Sequence, residues 1–259
     1  MLFKNRIFSI GVMLLVVIPL FGRSYSTNFT SPPAPESPIS EQGNWINGQA
    51  NGVNWKNVNT TANFAFGTQT GADGFADSTA ILTGAWSADQ SAQGVIHIVA
   101  QDSGVVAEES EIRLRSGMTS TPCPGQSSGG CNTGYEINFS AVTGNNYVQI
   151  VRWNGPFGSF TMLSSITTTV RNGDVVKASI TGNTITAFIN GVQVLQATDA
   201  TYNSTYCSSH MCNPGMGFYL QNGSGTGTDS HFGFSSFSAT DGAATQPPAP
   251  PSGLVATPK

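Results

Sequence analysis

Charge is scarce in this 259-residue chain, where 10 Lys plus Arg and 14 Asp plus Glu amount to 9% of the residues, against roughly 25% in an average soluble domain. So few cations cannot build a surface that tracks phosphates, which excludes nucleic acid as a partner. Long apolar runs are lacking after residue 21, since no later stretch approaches the ~18 residues of a membrane span. Helical periodicity is missing too: no apolar stripe at a spacing of three and four residues persists long enough to make a helix. The 30 glycines are scattered as turn residues rather than packed into one tract, which argues against disorder through the middle of the chain.

Lys4 and Arg6 precede an uncharged run from Ile7 to Phe21, followed by Gly22-Arg23-Ser24-Tyr25-Ser26. This is the basic, apolar, small-residue order of a cleavable secretory signal, here assigned to residues 1–26. Its removal takes away Lys4, Arg6 and Arg23 and leaves a net charge of about −7 on the remaining chain. No cysteine follows the run, so a lipid anchor has no attachment point. The expected protein is secreted or extracellular, with the periplasm or cell surface as alternatives, and does not insert into a membrane after cleavage. Residues 27–43 lack periodicity and read as a disordered linker, 44–241 as one domain, and 242–259 as a Pro-rich linker or tail. The closing Pro-Pro-Ser-Gly-Leu-Val-Ala-Thr-Pro resembles the opening strand of a fibronectin type III module, which implies attachment to a modular surface protein.

The four cysteines form two local groups. Cys123 and Cys131 bracket Pro-Gly-Gln-Ser-Ser-Gly-Gly, and Cys207 and Cys212 bracket Ser-Ser-His-Met. Turn-forming residues inside each group favour local disulfides in an oxidising compartment. The alternative is a metal site using Cys207, His210 and Cys212.

Period-two alternation recurs from Val95 to Ala100, Glu111 to Arg115, Tyr135 to Phe139, Tyr147 to Trp153, Phe160 to Leu163, Asp174 to Ile180, Thr184 to Asn190, Val192 to Gln196, Met216 to Gln221 and Phe232 to Phe237. Gly182-Asn183 and Asn190-Gly191 supply hairpin turns between such segments. The pattern predicts an all-β, two-sheet antiparallel sandwich or jelly roll. One parity, including Ile96, Ile112, Leu114, Ile137, Phe139, Val148, Ile150, Ala178, Ile180, Ile185, Ala187, Phe218 and Leu220, should meet between the sheets. The other parity would expose His97, Glu111, Arg113, Arg115, Asn138, Tyr147, Gln149, Trp153, Lys177, Tyr219 and Gln221. Asp174, beside a turn glycine, is expected to cap loop N–H groups.

On Gly134-Tyr135-Glu136-Ile137, Val148-Gln149-Ile150-Val151-Arg152-Trp153-Asn154-Gly155, Gly173 to Ala178, Gly182 to Gly191, Asn213 to Phe218 and Phe232-Gly233-Phe234, the chain resembles the concanavalin A-like lectin and glucanase superfamily, in its laminin-G-like branch. The resemblance implies a jelly roll whose concave sheet often presents a polysaccharide groove. Members include lectins, hydrolases, lyases and structural modules, so fold alone does not choose among them.

Three chemistries are weighed on that face. Carbohydrate binding needs rings against pyranose faces and amides or guanidinium for hydroxyls; Tyr147, Gln149, Trp153, Arg113, Tyr219 and Gln221 supply them. A polysaccharide lyase acting on uronates would use His97 or Tyr219 as base, with Arg113 and Gln221 on the carboxylate. His97, however, precedes the arginine strand here and follows it in the alginate lyases. Hydrolysis would rest on Glu109 and Glu111 within Glu108-Glu109-Ser110-Glu111, but the E-x-D-x-x-E or E-x-D-x-E order of the superfamily's hydrolases is absent. An adhesion or structural module without a glycan ligand is the remaining alternative. No cofactor is expected, with structural calcium at Asp73, Asp77 and Asp229 as the open exception.

Overall fold

The computed structural model describes residues 22–30, 35–70, 73–101, 104–222 and 229–242; most of the segment expected as a signal and nearly all of the Pro-rich segment lie outside them. Fifteen strands follow in order: β1 (Ser24–Thr27), β2 (Trp45–Asn47), β3 (Val58–Thr60), β4 (Ala65–Gly67), β5 (Ser78–Leu82), β6 (Gln90–Ile98), β7 (Val105–Thr119), β8 (Cys131–Val142), β9 (Asn145–Gly155), β10 (Phe160–Thr167), β11 (Val175–Thr181), β12 (Thr184–Ile189), β13 (Val192–Thr198), β14 (Asn213–Asn222) and β15 (Phe232–Asp241). Among the described residues the only α-helix is the single turn α1 (Ser204–Cys207).

The strands pair antiparallel into two sheets. One runs β13-β12-β11-β6-β15-β4-β3, with β1 also paired to β15; the other runs β10-β9-β8-β7-β14-β5-β2. The predicted apolar parity meets between them: Ile112, Leu114, Ile137, Phe139, Val148, Ile150, Ile180, Ile185 and Phe218 are all fully buried in one continuous core. Each large side chain there contributes about 1.5–3 kcal/mol by leaving water. Hairpin geometry follows the turn residues. Asn190 and Gly191 both have positive φ, 51° and 79°, the pair that a two-residue turn between Ile189 and Val192 requires. Both local disulfides form, Cys123 to Cys131 and Cys207 to Cys212, and none of the four cysteines is left for a metal. Asp174 caps its loop, accepting from the Arg171 N–H at 2.7 Å.

The described residues of 27–43 pack on the sandwich. β1 pairs in register with β15, Ser24 opposite Thr240 and Thr27 opposite Phe237. Phe29 and Ile39 are each 1% exposed and belong to the main core. Glu41 gathers the Tyr25 hydroxyl, the Thr27 hydroxyl and the Trp45 indole N–H. An irregular segment that contributes single anchors shows no period, so its packing was invisible to alternation. Just before β1, the Arg23 guanidinium lies over the Trp86 ring.

Candidate functional site

The pairing register places one set of side chains on the outer face of the seven-stranded sheet. β7 contributes Glu109, Glu111 and Arg113; opposite them on β8 stand Ser140, Asn138 and Glu136. Beyond β8, β9 sets Tyr147 beside Ser140, Gln149 beside Asn138 and Trp153 beside Gly134. On the far side of β7, β14 sets Gly217 beside Glu111 and Tyr219 beside Glu109. Five of the six residues expected to hold a glycan, Tyr147, Gln149, Trp153, Tyr219 and Gln221, line one cavity of about 240 Å³ on this face. Arg113, the sixth, lies beneath it and is 1% exposed.

Beneath the cavity is a buried charge cluster rather than the exposed polar row expected from alternation. Glu111, Arg113 and Arg115 are each at most 1% exposed. The Arg113 Nη2 lies 2.6 Å from Glu111 Oε2, 2.7 Å from Glu136 Oε2 and 3.4 Å from Asp77 Oδ2. Gly217 makes the room: a Cβ there would sit 2.1 Å from Glu111 Oε2. Tyr147 donates its hydroxyl to Glu109, and Trp153 its indole N–H to Glu136. Burial, then the charge of Glu136, pushes Glu109 up to about 8 and holds Glu111 well above the usual carboxylate range. Burial works against the Arg113 charge, but Glu136 and Glu111 outweigh it and keep the guanidinium protonated. Burial, with one guanidinium among four acids, therefore favours the protonated form of Glu109 and Glu111.

Trp153 is corrected from a stacking platform to a packed residue. It is 3% exposed, with its ring edge-on to Trp55 at 5.4 Å and tilted against Phe160 at 5.8 Å. The exposed apolar surface at the cavity is supplied instead by Phe75, Phe160 and Met162, each 40–47% exposed. Phe75 and Phe160 form a shelf, ring centroids 5.5 Å apart. His97 does not join the others. It lies on β6 of the opposite sheet, paired with Gly233, with its ring against Phe64, so of the two bases considered for a lyase His97 is separated from Arg113 and Gln221 by the sandwich, while Tyr219 lines the cavity. Arg115 leaves the row as well. At a bulge with φ of 47° its guanidinium ties together the carbonyls of Ala88, Tyr202 and Gly182.

Of the three aspartates considered for calcium, Asp73 pairs with Lys56 at 3.1 Å and Asp77 joins the Arg113 cluster; the side chain of Asp229 lies outside the described residues. Asp77, Glu111 and Glu136 bring one oxygen each within 4.8 Å of the others, and all three carboxyl groups also pair with Arg113 Nη2.

Sequence reasoning missed Glu136, Asp77, Phe75, Phe160 and Met162 as parts of the site. Glu136 had a signal: it shares parity with Asn138, and a β7–β8 pairing brings it opposite Arg113. Phe75 and Asp77 come from an irregular loop before β5, which alternation does not reach. A larger cavity of about 670 Å³ lies elsewhere, between the two disulfide loops, walled by Pro122, Pro124, Pro156, Tyr206 and Met211. Its walls also include Thr119, Thr133, Asn154 and His210, but none of the residues expected to hold a glycan.

No protein-family model matches this sequence, and no curated protein does. Solved structures do. The β-agarase B of Zobellia galactanivorans is 9% identical with a TM-score of 0.51, over 85% of this chain and 94% of that one. The potassium-bound Emp46p carbohydrate recognition domain is 10% identical with a TM-score of 0.50, over 83% and 98%. The Emp47p carbohydrate recognition domain is 9% identical with the same TM-score, over 85% and 96%. At these identities the likeness establishes architecture alone, a two-sheet antiparallel jelly-roll β-sandwich.

Proposed function

We propose that the protein is an exported, non-catalytic carbohydrate-binding module that holds a segment of polysaccharide on the outer face of its seven-stranded sheet. The observation that carries this reading is the convergence of Tyr147, Gln149, Tyr219 and Gln221 with the Phe75–Phe160 shelf around one cavity. Rings and amides on a rigid sheet match the two surfaces of a sugar, its apolar C–H face and its hydroxyl edge. The two disulfides support an oxidising compartment.

Holding is favoured over cutting. Glu111 is fully buried and Glu136 is engaged by Arg113 and Trp153, so no free pair of carboxyl groups flanks a bound glycosidic bond. The lyase alternative loses its histidine, because His97 is on the other sheet. The test is binding of the purified protein to a polysaccharide panel by affinity electrophoresis and calorimetry. Phe160→Ala and Tyr219→Ala should each weaken binding several-fold, about 1 kcal/mol per ring, with unchanged far-ultraviolet circular dichroism. Folded protein that binds no glycan would overturn the reading and leave an adhesion or structural module. Release of reducing ends would overturn the non-catalytic part.

A further inference from the structure

The floor and rim of the outer-face cavity differ in chemistry. Asp77, Glu109, Glu136 and Asn138 line the floor. The carboxyl-rich floor has its donors engaged internally: Arg113 Nη2 by Glu111, Glu136 and Asp77, the Trp153 N–H by Glu136 and the Tyr147 hydroxyl by Glu109. The unpaired Nε of Arg113 faces Gly217 on β14, and Arg113 is not on the cavity wall. What remains open is an acceptor. Asn138 Oδ1 is buried, on a residue 4% exposed, and has no hydrogen-bond partner. It stands opposite Glu111, whose Oε1 is also buried and unpartnered.

Charge points the same way. Four carboxyl groups surround a single guanidinium, and no Lys or other Arg lines the cavity. An anionic sugar brought here meets like charge without a cation to receive it, a mismatch that rejects ligands strongly in a poorly hydrated site. A ligand that carries N–H donors and positive charge meets the open acceptor and the excess carboxylate together. The raised values of Glu109 and Glu111 agree, since protons now fill part of the role a ligand cation would take.

We propose that this site selects its glycan by charge, taking a chain of amino sugars with free protonated amines and refusing uronates and sulfated sugars, an inference that rests on the glycan-binding reading above. The amine sits over the floor near Asn138 and Glu109, while the pyranose C–H face lies on the Phe75–Phe160 shelf. Gln149, Tyr219 and Gln221 at the rim serve the remaining hydroxyls.

The experiment is calorimetry with three oligomers of equal length: glucosamine, its N-acetylated twin and galacturonate, alongside a panel of neutral polysaccharides. The glucosamine oligomer should bind on the order of tenfold tighter than its neutral twin, and the uronate should not bind. Glu109→Gln should bring the amine and neutral affinities together. Because Glu109 is buried, the exposed rim position gives a second probe: Gln221→Lys should weaken the amine oligomer several-fold more than it weakens the twin, since the loss of a hydroxyl partner is common to both and the added charge opposes only the amine. Equal binding of amine and twin, preference for the uronate, or binding confined to neutral glycans would overturn charge selection while the glycan-binding reading stands. No binding to any oligomer or polysaccharide would overturn both.

Discussion

The outer faces of the two sheets obey the same alternation and have opposite fates. On the eight-stranded sheet Gln93 is exposed and Ser91, Lys177 and Ser179 are half-buried, an ordinary wet surface. On the seven-stranded sheet Glu109, Glu111, Arg113, Glu136 and Asn138 are all at most 5% exposed. The cover comes from irregular chain: Trp55 packs on Trp153 and Phe157, and Phe75 on Phe160. Alternation thus tells which way a side chain points, and the loops decide whether that direction is water.

The largest test of this contrast is removal of the guanidinium at the centre of the acidic cluster. Arg113→Met leaves Glu111, Glu136 and Asp77 without their cation and should lower stability by about 3–5 kcal/mol. Lys177→Met on the wet sheet loses only a contact of its ammonium with the Phe188 ring and should cost under about 1 kcal/mol. Urea unfolding of both variants measures the difference, and similar losses would erase the contrast.

A second test is pH. Glu109 and Glu111 hold protons more tightly in the fold than in the unfolded chain. Their contribution to stability is therefore complete below an ordinary Glu value near 4.3 and is lost as pH rises toward 8. Each acid protonated in the fold and ionised in the unfolded chain steepens that decline by up to about 1.4 kcal/mol per pH unit. Urea midpoints should fall from pH 5 to pH 8 (approximate bounds of that window), and Glu109→Gln should flatten part of the slope. A midpoint that rises across the window would show the cluster to be fully ionised.

The smallest of the three expected effects is steric. Gly217→Ala places a methyl group 2.1 Å from Glu111 Oε2 and should destabilise by about 1–3 kcal/mol through displacement of the packed cluster. Ser179→Ala on the outer face of β11 should change stability by less than about 0.5 kcal/mol. Thermal unfolding compares them directly.

The long strands were legible because each carries enough alternating positions to show its period: Tyr135 to Phe139 and Tyr147 to Trp153 lie inside β8 and β9. The three-residue strands β2, β3 and β4 are too short to show any period, and β1 with Phe29 and Ile39 was hidden for the same reason. At the candidate site, Tyr147, Gln149, Tyr219 and Gln221 were legible from parity alone. Glu136 required the strand register, and Phe75 and Asp77 required the path of a loop. Trp153 was misread as exposed because nothing local announces that Trp55, about a hundred residues earlier, will cover it.

The pairing of β1 with β15 has a mechanical meaning. Arg23 N–H bonds Asp241, Gly242 N–H bonds the Asp89 carbonyl at 3.1 Å, and a Cβ on Gly242 would lie 3.5 Å from the Gly22 Cα, so the chain enters and leaves the sandwich at one point. Tension applied through residues 22 and 242 would pull two antiparallel neighbours apart from their shared end, loading the β1–β15 hydrogen bonds one after another, as a zipper opens, rather than all at once in shear. Set within a longer chain under load, this domain would peel from that corner first, and the outer face of the seven-stranded sheet, which contains neither β1 nor β15, would feel the strain last.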